Sequence, residues 1–231
     1  MTSISANLQA VRERVDAAAR AVGRTPDEVV VLAVSKTRPV ASILEAARAG
    51  QHAFGENYVQ EGVAKIEALR DRRLEWHFVG PLQSNKSRAV AMHFDWVHSV
   101  DRSRLAERLS AQRDATFPAL NVCIQVNVSG EASKSGVAPD DVLSLAEKVA
   151  ALPRLRLRGL MCIPEPDGDP EVLHGRFRTL RRLLSDLNAR GFSLDTLSMG
   201  MSDDLEVAIA EGSTLVRVGT AIFGVRTKSR D

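Results

Sequence analysis

Val29-Val30-Val31-Leu32-Ala33-Val34-Ser35-Lys36-Thr37-Arg38-Pro39 is the stretch on which the fold turns. Its six leading apolar residues, mostly β-branched, read as a strand buried on both faces, as strands of a parallel sheet are. A parallel strand needs a crossover, and helical spacing follows at once in Ile43, Leu44 and Ala47. Pro39 sits near the first turn of that helix and Gly50 at its end. The connecting turn, Ser35 to Pro39, holds no glycine. A doubly wound open sheet, the alternative for alternating strands and helices, would normally carry a Gly-rich turn here.

The same alternation extends outward. Before the strand, Ile4, Leu8, Val11, Val15, Ala18 and Val22 recur at helical spacing and Gly23 ends them, which predicts an N-terminal helix over residues 1–23. After it, strand-like pieces fall at 52–54, 76–79, 96–98, 120–127, 157–163, 196–198 and 215–218, with helical patterns between them. The helix of Val142, Leu145, Ala146, Val149 and Leu152 is entered by Pro139. The helix of Val172, Leu173, Phe177, Leu180, Leu183, Leu184 and Leu187 opens on Asp169 as N-cap and Pro170 as first residue. Asp203 and Glu206 stand at a capping-box spacing. Eight strand–helix units without a long linker predict an α/β fold, a single (β/α)8 TIM-type barrel over 29–224 with an extra N-terminal helix, and one domain across 1–231.

Composition narrows the function classes. The chain has 231 residues, 44% hydrophobic and 26% charged, with a formal net charge of +2. Interspersed charges of nearly balanced sign give no field for nucleic acid or membrane surfaces. No secretory leader and no membrane-length apolar run are visible, so the cytoplasm is the expected compartment. Cys123 and Cys162 lie in apolar runs and are expected as small buried hydrophobes rather than a disulfide. The five histidines show no metal spacing.

In such barrels chemistry gathers at the C-terminal ends of the strands, and phosphate is often held by the loops after strands seven and eight. Ser198-Met199-Gly200-Met201-Ser202 and Gly219-Thr220-Ala221 offer small residues and hydroxyls at those two places. Strand one neighbours strand eight in a closed barrel, so Lys36 would stand beside them. A lysine continuing the face of a buried strand has a lowered pKa and becomes a nucleophilic amine suited to a Schiff base. A reactive lysine beside a phosphate cradle fits a phosphorylated aldehyde, of which pyridoxal 5'-phosphate (PLP) is the obvious one. Arg217 interrupts an apolar strand. It reads either as half of an ion pair inside the barrel or as a partner for the pyridine nitrogen of PLP, which would weaken the ring as an electron sink. Asn57, His77, Asn127 and Met161 end other strands and are further candidates to line a cofactor.

At these residues the chain resembles the pyridoxal phosphate homeostasis proteins (the YggS/PROSC type), which look like the barrel domain of bacterial alanine racemase. The matching stretches run in order: residues 33–37, Phe54-Gly55-Glu56-Asn57-Tyr58-Val59-Gln60-Glu61, Trp76-His77-Phe78-Val79-Gly80-Pro81-Leu82-Gln83-Ser84-Asn85-Lys86, 125–127, 159–161, 197–202 and 216–224. The resemblance implies that Lys36 carries PLP as a Schiff base, that residues 198–202 with Gly219 and Thr220 hold the phosphate, and that Arg217 faces the pyridine nitrogen. Asn57, His77 and Asn127 fall in matching motifs with no fixed role. Arg38 stands where many relatives carry a second lysine.

Three functions compete at this level. A non-catalytic PLP carrier that passes cofactor to apo-enzymes is the leading expectation, as a monomer. A racemase-like PLP enzyme would need a second base opposite the lysine, which racemases bring from an additional domain; the chain ends soon after strand eight and has a single tyrosine, Tyr58. A Schiff-base aldolase acting on a phosphosugar would leave Arg217 unexplained.

Overall fold

In the computed structural model, which describes residues 3–130, 135–165 and 169–225, the valine-rich run forms β1 (Val30–Val34) and α2 (Val40–Arg48) follows it. The N-terminal helix α1 spans Ile4–Ala21. The remaining units are β2 (Ala53–Glu56) and α3 (Val59–Leu69), β3 (Glu75–Phe78) and α4 (Ser87–His93), and β4 (Trp96–Val100) and α5 (Ser103–Gln112). They continue with β5 (Leu120–Gln125) and α6 (Val142–Ala150), β6 (Leu155–Met161) and α7 (Pro170–Ala189), β7 (Thr196–Ser198) and α8 (Leu205–Ala210), and β8 (Leu215–Val218) with the single turn α9 (Thr220–Phe223). The strands pair in parallel, in sequence order, into a closed barrel. The predicted TIM-type architecture with its added helix is therefore the observed one.

Strand ends follow the neighbouring ladders rather than the apolar runs. β2 reaches Glu56 because it pairs with Phe78 on β3. β5 stops at Gln125, and Val126 makes only an isolated bridge to Val137. Asp169 caps α7 as expected, its carboxylate accepting from the Glu171 N–H. The Asp203–Glu206 capping box does not form. α8 starts one residue later, with Asp204 at the N-cap and accepting from the Met201 N–H. Glu206 is instead taken by Arg14 of α1, at 2.8 and 3.0 Å.

The main core lies between the barrel and its helices; Phe54, Phe78, Phe94, Phe177 and Leu160 are fully buried in it. α1 closes one side through Leu8, Val11, Val15 and Ala19. It also braces two strand-end loops: Arg14 donates to the Ser202 carbonyl (3.0 Å) and Asn7 to the Ile222 carbonyl (3.0 Å). Inside the barrel the apolar filling is thin. Leu32, Ala53, Val79 and Leu215 form one small group, and Trp96, Cys123 and Met161 another. Both cysteines are free and buried, with their thiols pushed up to about 12 by burial. No helix among the described residues is long and apolar enough to cross a membrane.

β6 approaches β7 so closely at Gly159 that a methyl group there would lie 1.8 Å from the Thr196 carbonyl oxygen. The contact is backbone against backbone and cannot be relieved by a rotamer change. Gly159→Ala is therefore expected to destabilise the protein by about 1–3 kcal/mol or more in urea unfolding. Gly175→Ala, inside α7 with nothing within 4 Å, should be neutral or stabilise by about 0.5–1 kcal/mol. Equal effects at the two positions would show that the barrel wall can yield.

Candidate functional site

Closure of the sheet builds the site. β1 pairs with β8, Leu32 opposite Arg217 and Ala33 opposite Val218. Lys36, two residues past β1, thereby comes to the same rim as Gly219 and Thr220. A pocket of about 230 Å³ opens there, and Lys36, Asn57, Met201, Ser202, Arg217, Gly219 and Thr220 all line it. Gly219 is fitted tightly beneath it, since a Cβ would come within 3.2 Å of the Val34 carbonyl. A larger cleft of about 510 Å³ lies at the opposite end of the barrel, beside Arg12, Asp27 and His52. The strand-end pocket is the candidate because an amine, a buried guanidinium and two hydroxyls converge on it.

Lys36 sits between two anchored neighbours. The Ser35 hydroxyl donates to Glu56 Oε1 at 2.6 Å, and the Thr37 N–H donates to Glu61 Oε1 at 2.5 Å. Both carboxylates are joined by Lys65, whose Nζ lies 2.7 Å from Glu56 and 2.6 Å from Glu61 and also donates to the Ser35 carbonyl at 2.7 Å. Thr37 is held at φ 62°, a left-handed conformation that costs a β-branched residue about 1–3 kcal/mol. The cluster is buried, and burial raises the pKa of Glu56 above its usual value, with the Lys65 and Ser35 hydrogen bonds pulling the other way.

Arg217 is 5% exposed. Its Nη1 donates to the Ser198 carbonyl (2.6 Å) and hydroxyl (2.9 Å), and its Nη2 to the Cys162 carbonyl (2.8 Å). These bonds leave further N–H donors on a side chain that lines the pocket. Among the described residues it makes no ion pair, so the sequence alternative of a paired arginine is not what forms. Burial lowers its pKa from the usual value.

The other sequence-selected residues do not line this pocket. Ser198 is fully buried inside the barrel, bonded to Arg217 and His98. Met199 packs in the main core. Gly200 makes the turn at φ 95°, and its carbonyl accepts from the Arg217 N–H. His77 points across the barrel to His98 and down to Glu75. Met161 belongs to the interior group with Trp96. The Asn127 side chain turns onto its own loop, accepting from the Gly130 N–H at 3.1 Å. Ser198 and His77 lie too deep in the barrel to reach the rim, Met199 has the outward parity, and Asn127 is held by a local turn. Arg38 donates to the Gly224 carbonyl.

Val34, Val79, Ile163 and Asp203 complete the lining and were not singled out from sequence. Val34 shares the parity of Lys36 and was within reach of the strand argument; Ile163 and Asp203 depend on loop paths. No group of three His, Cys, Asp or Glu able to hold a metal occurs among the described residues.

Residues 6–227 match the family model of the alanine racemase N-terminal domain. The chain is 59% identical over 226 residues to a pyridoxal phosphate homeostasis protein of Pseudomonas aeruginosa, covering 98% of this chain and 97% of that one. It is 54% identical over 233 residues to the protein of the same name in Escherichia coli K12, with both chains covered completely. PipY of Synechococcus elongatus, solved with PLP bound, superposes with a TM-score of 0.85 at 38% identity, covering 96% of this chain and all of that one. Alanine racemase of Corynebacterium glutamicum shares the fold at a TM-score of 0.68 and 18% identity, with 97% of this chain matched to 64% of the racemase. The chain thus belongs to the alanine racemase N-terminal domain family and, within it, to the pyridoxal phosphate homeostasis proteins.

Proposed function

We propose that this chain binds PLP at the strand-end pocket, through Lys36, and acts in PLP homeostasis as a carrier rather than as an amino-acid-converting enzyme. The observation that carries the reading is the pairing of Lys36 with a buried, carboxylate-free Arg217 across one small pocket. A buried cation without an anionic partner is costly. The lone pair of an unprotonated pyridine nitrogen would offset that cost by accepting from it. The pocket fits such a group: the Asn57 Oδ1 is buried without a partner, and Ser202 and Thr220 supply hydroxyls on the two loops where barrels hold phosphate.

When bound, PLP supplies an aldehyde for a Schiff base and a ring able to withdraw electrons. The residues of this chain then divide the work. Lys36 offers the amine. Ser202, Gly219 and Thr220 surround the phosphate position. Arg217, a donor with no proton to give up, would face the ring nitrogen and leave it unprotonated. That arrangement favours holding over turnover. The proximity of named homeostasis proteins at more than half identity supports the same side. A racemase-like reading would have to recruit Asp203, a carboxyl group on the lining, as a second base.

Three outcomes test this. Borohydride treatment of the PLP-loaded protein should fix one pyridoxyl group on Lys36, and Lys36→Ala should lose it while unfolding at an unchanged urea midpoint. Full trapping on the variant, at Lys86 or at Lys134 (which lies outside the described residues), would place the site elsewhere. PLP-loaded protein incubated with L-alanine or L-serine should show loss of optical activity or keto-acid formation far below about 1–1000 turnovers per second, yet should deliver PLP to an apo-enzyme. Enzymatic turnover abolished by Lys36→Ala would favour the racemase-like reading.

Lys65→Met should cost about 3–5 kcal/mol of stability at neutral pH, because it strands Glu56 without its cation. The sign with pH follows from Glu56, whose folded pKa is already raised. Such a group loses stability as pH climbs from its ordinary value of 4.5 toward the folded value, and removing Lys65 raises the folded value further. The deficit of Lys65→Met should therefore shrink as pH falls toward 4.5 in urea unfolding. A deficit independent of pH would mean that the methylenes of Lys65, not its charge, matter.

A further inference from the structure

A line of hydrogen bonds runs through the barrel interior from the pocket to the opposite mouth. Arg217 Nη1 lies 2.9 Å from Ser198 Oγ, and Ser198 Oγ lies 2.8 Å from His98 Nδ1. His98 Nε2 lies 2.9 Å from His77 Nδ1, and His77 Nε2 lies 2.6 Å from Glu75 Oε1. His98 is fully buried and His77 is 1% exposed, whereas the Glu75 side chain is half exposed. Arg217 lines the strand-end pocket; Glu75 and His77 line a second hollow of about 230 Å³ at the N-terminal ends of the strands.

For neutral imidazoles, the chemistry of the two ends fixes the direction of every proton between them. A guanidinium only donates and a carboxylate only accepts. Ser198 Oγ therefore accepts from Arg217 and passes its own hydrogen to His98 Nδ1. His98 must then carry its proton on Nε2 and donate to His77 Nδ1. His77 in turn carries its proton on Nε2 and donates to Glu75. Burial holds His98 well below the usual imidazole range, so it is neutral as this pattern requires. The hydrogen bond from His77 lowers the pKa of Glu75, in keeping with an ionised carboxylate. The other charged or titratable groups around the line are Asp95, Arg158 and Asp195 toward the Glu75 end, with Cys123, Cys162 and Asp204 toward Arg217.

We propose that His77 and His98 are positioning residues that relay the charge of Glu75 through the barrel to orient the Ser198 hydroxyl and, through it, Arg217. The five groups act as one polarised donor chain, in which each bond strengthens the next. Arg217 thus finds its counter-charge at the far mouth, beyond two imidazoles, and keeps its remaining N–H groups for a ligand. The consequence for PLP rests on the binding reading above; the arrangement of protons does not.

Nitrogen-15 spectra of the histidine side chains, recorded on the PLP-free protein, test the relay itself. His77 and His98 should both carry the proton on Nε2. Glu75→Gln supplies a group that either donates or accepts, so the reversed chain becomes permitted. The Nδ1–H form should then appear on both histidines together, although His98 does not touch position 75. An Nδ1–H form of His98 in the parent, or a Glu75→Gln spectrum in which only His77 responds, would overturn the relay. A second arm reads the pocket. In His98→Leu the Ser198 hydroxyl loses its acceptor, and PLP retention on dilution should fall about tenfold, as for one hydrogen bond near a charged group. His98→Asn restores an acceptor and should stay within about threefold of the parent. Equal retention in the parent and His98→Leu overturns the coupling to the pocket. Absence of borohydride trapping on Lys36 with the expected spectra would remove the PLP reading and leave the relay standing.

Discussion

The pairing of β1 with β8 is the constraint on which the rest depends. Until the sheet closes, Lys36 and Arg217 are separated by nearly the whole chain. Closure places Leu32 opposite Arg217 and so brings the end of β1 to the loops that follow β7 and β8. The N-terminal helix reinforces this seam from outside, holding the Ser202 and Ile222 carbonyls through Arg14 and Asn7. The extra helix thus belongs to the site as much as to the core.

Charge burial explains the unusual interior. A barrel of this size can be filled with branched apolar side chains in layers, yet here the filling is two small apolar groups and a polar line. Of the buried cations, Lys65 and Arg217 stand beside the site, and they are treated differently. Lys65 is neutralised directly by Glu56 and Glu61, and its bonds fix the backbone on either side of Lys36. Arg217 is held by carbonyls and a hydroxyl alone, which leaves it oriented but not neutralised. The first arrangement makes a rigid mount; the second makes a waiting partner.

The candidate site was legible from sequence where strand parity and loop composition spoke directly. Lys36 continued the face of a buried strand, and Ser202, Gly219 and Thr220 stood in the two loops that the barrel rule names. The same reasoning stopped short at Ser198 and His77. Both end strands in polar positions, but their side chains point along the inward parity below the rim, so they serve the interior and not the pocket. Asn127 was lost to its own turn. His98 carried a usable signal, a polar residue at the inward parity of an apolar strand, but its hydrogen-bond partners come from two other strands.

The sequence by itself determined the architecture, because eight apolar runs separated by helical patterns admit few closed arrangements and periodicity is a local property. It determined the reactive amine for the same reason, since strand and turn are contiguous. Only the tertiary structure decided which polar groups share a bond. The Lys65 cluster, the unpaired state of Arg217 and the line from Arg217 to Glu75 each join residues from separate strands or helices. Their distances follow from barrel closure and the ladder registers, which no single segment encodes.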